Sequence, residues 1–196
     1  MSGKYRLQDE GSRLEMPVSR RRFLQFSAGA AAGLLITPAH AGLERHGQRV
    51  LHLRNLHTGE KLVRTYWADG NYLAEPLAEI DHLLRDFRTD EAHAMDPRLL
   101  DLLHRLQHKV GSNKPFEVIS GYRSPKTNAM LRGGSATSGV AKKSLHMQGR
   151  AIDVRLPGYD LAKLRKAALG LKGGGVGYYP KSNFLHLDTG RVRHWS

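Results

Sequence analysis

The first predicted elements of the chain come from an alternation of apolar and polar residues. Residues 49–55 and 60–67 alternate with an approximate period of two, and a His-Thr-Gly sequence at 57–59 separates them. Because successive side chains of a strand point to opposite faces of a sheet, this pattern predicts a β-hairpin. A cluster of turn-forming residues at 68–71 follows the second strand.

Two later segments have the spacing of amphipathic helices. Apolar side chains recur every three or four positions in residues 76–87 and again in residues 97–110. This spacing places the apolar side chains on one stripe of a helix. Each segment also begins with proline, which is favoured in the first turn of a helix. We therefore predict two α-helices that pack against a core.

From residue 116 onward the pattern is that of short strands between loops. Strands are predicted at 116–120, 150–156, 175–179 and 184–188. A further helix is predicted at 161–171, and a glycine- and serine-rich loop at 133–139. No internal repeat is visible. The predicted class is α+β, with a small antiparallel sheet flanked by helices.

The N-terminal 41 residues have the features of an export signal. Ser-Arg-Arg-Arg-Phe-Leu at 19–24 matches a twin-arginine consensus, and Ala-His-Ala at 39–41 offers small residues for cleavage. The apolar run between them, 26–36, is shorter than the roughly 20 residues that span a bilayer. We therefore expect a signal peptide at 1–41, a single domain at 42–196, and periplasmic localisation without stable membrane insertion.

Charge and cysteine content restrict the partners and the metal ligands. The chain has 31 Lys and Arg against 18 Asp and Glu, a net charge of +13. The basic residues are scattered and not interleaved with aromatic residues, and export is expected, so an anionic envelope polymer is favoured over nucleic acid. The sequence has no cysteine, so a metal site would have to consist of His, Asp and Glu. We expect a monomer.

Potential metal ligands occur in two of the predicted strand regions. His146 and Asp153 lie seven residues apart across Gly149. If Gly149 ends a loop and begins a strand, both side chains could reach one ion. In the last strand, His186 and Asp188 share a face because side chains alternate. Three N and O ligands with a fourth position open are typical of catalytic zinc, although the spacing alone also allows ordinary structural histidines.

The ordered motifs of the chain resemble a known group of enzymes. Ser-x-His-x-x-Gly-x-Ala-x-Asp at 144–153, Ser-Gly-Tyr-Arg-Ser at 120–124 and a histidine in the final strand are similar to the D-alanyl-D-alanine carboxypeptidase and VanX-type zinc metallopeptidases, which share the hedgehog and lysostaphin-type fold. The ending at 184–195, Phe-Leu-His-Leu-Asp-Thr-Gly-Arg-Val-Arg-His-Trp, most closely resembles the YcbK-like murein endopeptidases, which often carry twin-arginine signals.

The resemblance implies a zinc peptidase that hydrolyses peptide bonds in peptidoglycan stem peptides or cross-links. It implies zinc bound by His146, Asp153 and His186, with Arg123 beside the metal. There the guanidinium could hold the scissile carbonyl or its oxyanion. A structural salt bridge with Asp153 is the alternative role for Arg123.

The sequence differs from the better-known relatives at the position where they carry the general base. They place Glu or His two or three residues before the last ligand, where this sequence has Phe184 and Asn183. We expect Asp188 to accept the proton instead, with the orientation of a ligand histidine as its alternative role. His194 is a second candidate base.

Two other functions stay open at this stage. One is a non-catalytic zinc module that binds an envelope polymer or a partner protein. The other is a basic binding domain in which the histidines are incidental. The sequence does not predict which peptidoglycan bond would be cut, because specificity depends on the geometry of loops such as 133–144.

Overall fold

The computed structural model describes residues 47–133 and 140–196. The predicted signal peptide and most of the predicted glycine- and serine-rich loop lie outside the described residues. The strands are β1 (Gln48–Asn55), β2 (Lys61–Ala68), β3 (Asn71–Tyr72), β4 (Phe116–Ser120), β5 (Ala151–Arg155), β6 (Gly175–Tyr179), β7 (Phe184–Asp188) and β8 (Arg193–Trp195). The helices are α1 (Ala74–Leu83), α2 (Pro97–Lys109), α3 (Pro125–Gly133), α4 (Leu161–Leu169) and a 3-10 helix (Leu145–Gln148).

The predicted hairpin and both amphipathic helices are confirmed. Strands β1 and β2 pair antiparallel along nearly their whole length. Helix α2 begins after Asp96, whose carboxylate accepts a hydrogen bond from the backbone N–H of Arg98 at 3.0 Å. Helix α1 ends before the predicted boundary, and the chain then forms an antiparallel bridge between Asp86 and Glu91. None of the described helices has the length and apolarity to cross a membrane.

The α+β class is confirmed, but the sheet is larger than predicted and is mixed. Its order among the described residues is β3-β2-β1-β4-β5-β7-β6-β8. Strand β1 pairs parallel with β4, and β6 pairs parallel with β8, while the other pairs are antiparallel. The prediction of a small antiparallel sheet was wrong because the β1–β4 pairing joins segments far apart in sequence, which a local pattern cannot specify.

The core lies between the helices and one face of the sheet. Helix α2 directs Leu99, Leu100, Leu103 and Leu106 into it, each with no exposed surface. Burial of such a side chain stabilises the fold by about 1.5–3 kcal/mol. The central strands contribute alternate residues, which are Ile152, Val154, Leu185 and Leu187. The intervening side chains of β5 and β7 are therefore free to form a polar site on the opposite face.

Candidate metal centre

Strand pairing brings two predicted ligands side by side. In the antiparallel β5–β7 pair, Asp153 lies directly opposite His186. The apolar neighbours of both residues enter the core, so these two side chains share the other face. The third predicted ligand, His146, lies in the 3-10 helix just before β5, and the hydroxyl of Ser144 accepts a hydrogen bond from the His146 backbone N–H at 3.4 Å.

Gly149 makes the tight connection between His146 and β5. It has a left-handed backbone with φ of 63° and ends the 3-10 helix. A Cβ at this position would collide with the carbonyl oxygen of Ala94, so only glycine fits both the conformation and the space. Gly149 thus ends the 3-10 helix two residues before β5 begins at Ala151, which is close to the arrangement that the sequence required for both side chains to reach one ion.

The three predicted ligand atoms converge. Nδ1 of His186 lies 2.9 Å from Oδ1 of Asp153 and 3.2 Å from Nε2 of His146. Nε2 of His146 lies 3.3 Å from the same Asp153 oxygen. The three ligand atoms lie within 4.8 Å of one another. His186 thus joins a cluster with two residues that lie 33 and 40 positions before it in sequence.

The hydrogen bonds of the two imidazoles favour a cation between them. Nδ1 of His146 lies 2.7 Å from the carbonyl of Gly121, and Nε2 of His186 lies 3.0 Å from Oδ2 of Asp188. Both partners can only accept, so these nitrogens carry protons, and in the neutral rings the facing nitrogens present lone pairs. Two lone pairs beside the Asp153 carboxylate repel unless a cation lies between them. The donor set therefore fits a metal ion.

The pKa values of Asp153 and His186 also favour a cation in the cluster. Burial would raise the pKa of the Asp153 carboxyl, but His146 and His186 outweigh burial and hold this pKa well below its usual range. Burial would lower the pKa of His186, but the carboxylates of Asp153 and Asp188 outweigh it and raise this pKa to about 9. The site thus attracts positive charge, from a proton or from a metal ion.

Arg123 lies beside the cluster, in the loop after β4. Its Nη2 is 3.7 Å from Oδ2 of Asp153 and 3.5 Å from Oγ of Ser120. Its backbone N–H donates to the carbonyl of His146 at 3.2 Å. Burial lowers the pKa of this guanidinium, and Asp153 opposes that effect. Arg123 contacts the Asp153 oxygen that faces away from the histidines, so both the salt bridge and a role towards substrate are compatible with its position.

Asp188 occupies a different position from the one expected of a general base. Its carboxylate is fully buried and binds the far side of the His186 ring. Arg193 donates to both of its oxygens at 3.0 and 2.8 Å, and the backbone N–H groups of Gly175 and Gly190 also donate to it. The expectation that Asp188 is the general base at the open metal position is corrected, because the His186 ring and these donors surround the buried carboxylate.

The cluster opens into a cavity of about 440 Å³. Its walls come from the 3-10 helix region, β6, β7 and β8, and include Lys143, Tyr179 and Trp195. Among the described residues that line it, Asp153 is the single carboxylate. His194, the second candidate base, is exposed and does not line this cavity, because its neighbours on β8 take the inward positions.

An aromatic wall formed by Tyr179, Phe184 and Trp195 covers one side of the cavity. The rings of Tyr179 and Phe184 stack at 4.6 Å. The indole N–H of Trp195 donates to the hydroxyl of Tyr179 at 2.9 Å, and the indole ring lies 5.2 Å from the His186 ring. A Cβ at Gly177 would meet this indole at 2.7 Å, so glycine makes room for it. The alternation Arg-His-Trp before the C-terminus was the available signal for β8.

The structural role of Asp86 was not predicted from the sequence. It is buried, and its two oxygens accept hydrogen bonds from the backbone N–H groups of Ser124 at 2.8 Å and Arg88 at 3.0 Å. Ser124 in turn accepts a hydrogen bond from the Thr127 N–H at the start of α3. Asp86 therefore holds the loop that carries Arg123.

Comparisons with known proteins identify the family. A peptidase M15 family model described as "Peptidoglycan L,D-endopeptidase MepK" matches residues 44–195. The "Peptidoglycan L,D-endopeptidase MepK" of Escherichia coli (strain K12) is 47% identical over 178 residues, which cover 90% of this chain and 97% of that protein. The "Probable peptidoglycan L,D-endopeptidase MepK" of Haemophilus influenzae is 43% identical over 180 residues, 90% of this chain and 95% of that protein. The resemblance drawn from the motifs is thus confirmed, and the chain belongs to the MepK family of M15 peptidases.

Proposed function

We propose that this protein is an exported, zinc-dependent endopeptidase that hydrolyses L,D peptide cross-links of peptidoglycan in the periplasm during cell wall remodelling. The observation that carries the proposal is the convergence of His146 Nε2, Asp153 Oδ1 and His186 Nδ1 at one cavity. The names of the relatives supply the substrate and the type of bond.

Zinc is the metal that suits this donor set best. Two imidazole nitrogens and one carboxylate oxygen are common ligands of catalytic zinc, which keeps a further position open. When bound, zinc supplies Lewis acid chemistry that activates water and polarises an amide carbonyl. His146 Nε2, Asp153 Oδ1 and His186 Nδ1 would hold it.

Arg123 is proposed to stabilise the negative charge that develops on the scissile carbonyl oxygen. Its guanidinium is largely buried beside Asp153 and lines the cavity. A fixed donor in a site of low dielectric stabilises such a charge more strongly than water does. Because Arg123 is held by the loop that Asp86 anchors, its donors are already oriented before substrate binds.

Asp188 is proposed to orient His186. Its carboxylate keeps the proton on Nε2, so that Nδ1 presents its lone pair towards Asp153 and His146. Arg193 and two backbone N–H groups fix the carboxylate in turn. This chain of contacts makes the strand end a rigid support for one ligand.

The peptidase is favoured over the non-catalytic zinc module that the sequence left open. The matched relatives are named as endopeptidases. The cavity beside the cluster also has room for a peptide, with donors from Arg123, Lys143 and Tyr179 on its walls.

Digestion of defined cross-linked fragments tests this proposal. The full-length zinc-loaded protein is incubated with purified muropeptide dimers joined by an L,D bond or by a D,D bond, and products are identified by mass spectrometry. We expect release of monomers from the L,D dimer alone, loss of this activity with a chelator and recovery with zinc. His186→Ala serves as the inactive control. Cleavage of the D,D dimer alone, or no cleavage by protein with stoichiometric zinc, would contradict the proposal.

A further inference from the structure

A second and larger cavity, of about 970 Å³, lies along helix α2. We call it the α2 cavity. Its lining includes four cationic side chains and two imidazoles against one carboxylate, Asp101. The basic lining residues are Arg49, Arg98, His104, Arg105, His108 and Lys109.

The single carboxylate of the α2 cavity already accepts three hydrogen bonds from neighbouring side chains. Asp101 accepts hydrogen bonds from Arg49 at 2.6 Å, from the Tyr66 hydroxyl at 2.9 Å and from the Tyr72 hydroxyl at 2.8 Å. Arg98, for its part, pairs with Asp96 at 2.8 Å. Asp101 therefore has little capacity left to neutralise the other cations.

Arg105 and Lys109 are the unneutralised pair. Both are exposed, and neither has a carboxylate partner within the part of the chain that the structure describes. They lie four residues apart on α2, so their side chains are neighbours on one face of the helix and their charges repel. An anion bound between them would relieve this repulsion and accept several charge-assisted hydrogen bonds.

The α2 cavity adjoins the strand that carries a metal ligand. Thr189 lines it and directly follows Asp188, the residue that binds His186. The Thr189 hydroxyl donates to Asp96 at 2.8 Å, and Arg150 donates to the Thr189 carbonyl at 2.9 Å. The end of β7 is thus part of both sites, which suits a polymer long enough to contact each of them.

We propose that the α2 cavity binds the carboxylates of peptidoglycan stem peptides outside the scissile cross-link and holds the polymer while the metal centre acts on it. This inference rests on the proposed function for the identity of the polymer. A second contact raises the effective concentration of cross-links at the metal centre without changing the chemistry there. Short soluble substrates would not benefit from it.

Retention on intact sacculi tests this inference independently of cleavage. The full-length protein, freed of metal with a chelator, is mixed with purified sacculi, and the bound fraction is measured. The test variant is Arg105→Gln with Lys109→Gln. The matched control is Lys163→Gln with Lys166→Gln, which removes the same charge from exposed positions of α4. We expect about tenfold weaker retention for the α2 variant alone.

Two further measurements identify the ligand chemistry. Sacculi whose carboxylates have been amidated should retain the wild-type protein as weakly as native sacculi retain the α2 variant. The zinc-loaded α2 variant should cleave intact sacculi more slowly than wild type but keep the wild-type rate on a soluble L,D dimer. Equal retention of both double variants, retention unaffected by amidation, or preference for phosphatidylglycerol vesicles over sacculi would overturn the inference. Retention without cleavage by the wild type would overturn the proposed function alone.

Discussion

The carboxylate of Asp188 binds Nε2 of His186 at 3.0 Å, on the side of the ring that faces away from Asp153. A residue in this position cannot reach water at the opposite nitrogen. In the proposed site it determines which nitrogen of His186 is free to bind a metal. We therefore propose that Asp188 orients a ligand, a role that can be separated from proton transfer by experiment.

Removal of the Asp188 carboxylate should weaken zinc binding. We expect Asp188→Ala to lower zinc affinity about 10- to 100-fold, because the His186 ring loses the partner that fixes its orientation. The more conservative Asp188→Asn should lose less, since its amide oxygen can still accept from Nε2. Affinity is measured by competition with a chromophoric chelator, with the exposed His194→Ala as control. Wild-type affinity with greatly reduced turnover would restore Asp188 as a proton acceptor.

Substitution of a proposed ligand and substitution of Arg123 should have different effects on zinc content. His146→Ala, Asp153→Ala and His186→Ala should each lose both zinc and activity. Arg123→Gln should keep one zinc per chain and lose about 10²–10³ in kcat, the scale of one donor to an oxyanion. Metal content by mass spectrometry and turnover on the L,D dimer are the measurements. If Arg123→Gln lost its zinc as readily as a ligand variant, Arg123 would be a structural partner of Asp153.

Asp86 should make the stability of the protein dependent on pH. Burial would raise the pKa of its carboxyl, but hydrogen bonds from Thr127, Ser124 and Arg88 outweigh burial and lower it. A carboxyl whose folded pKa is below its unfolded value of about 3.9 stabilises the fold above that pH and loses this effect as pH falls through the folded pKa. Asp86→Asn should cost about 1–3 kcal/mol of unfolding free energy at pH 7, because buried donors lose a charged acceptor.

Urea unfolding at pH 7 and at pH 3–4 measures this effect. The difference between wild type and Asp86→Asn should shrink at the lower pH, because the unfolded wild-type chain then binds a proton at this carboxyl more readily than the folded chain does. Glu75→Gln, at an exposed position in the first turn of α1, should change stability by less than about 0.5 kcal/mol. A difference for Asp86→Asn that stayed constant across this range would mean that the carboxylate charge contributes nothing.

The twin-arginine signal remains a prediction of the sequence and is tested in cells. Arg20→Lys combined with Arg21→Lys keeps the charge but removes the paired guanidinium groups. We expect the uncleaved protein to accumulate in the cytoplasm, because the export route recognises the arginine pair. Cell fractionation and the mass of the protein are the measurements. Processed protein in the periplasm would indicate the general secretory route.

The elements and the candidate ligands could be predicted from the sequence because their signals are local. The period of two predicted β1 and β2, and the spacing of leucines predicted α2, since side-chain direction follows from backbone geometry within a few residues. The candidate ligand set was predicted from the motif at 144–153 and the final strand. The spacing of these residues alone also allowed structural histidines, and the choice of the three ligands came from the resemblance to a family.

The relations between distant segments were decided by the tertiary structure alone. The parallel pairing of β1 with β4 extended the sheet, and the β5–β7 register placed Asp153 opposite His186. Strand alternation predicted correctly that Asp188 and His186 share a face. It could not predict which ring nitrogen Asp188 would bind, because that depends on the rotation of the imidazole and on Arg193, which arrives with β8. The same holds for the α2 cavity, whose walls form only when Arg49 of β1 and Thr189 pack beside α2.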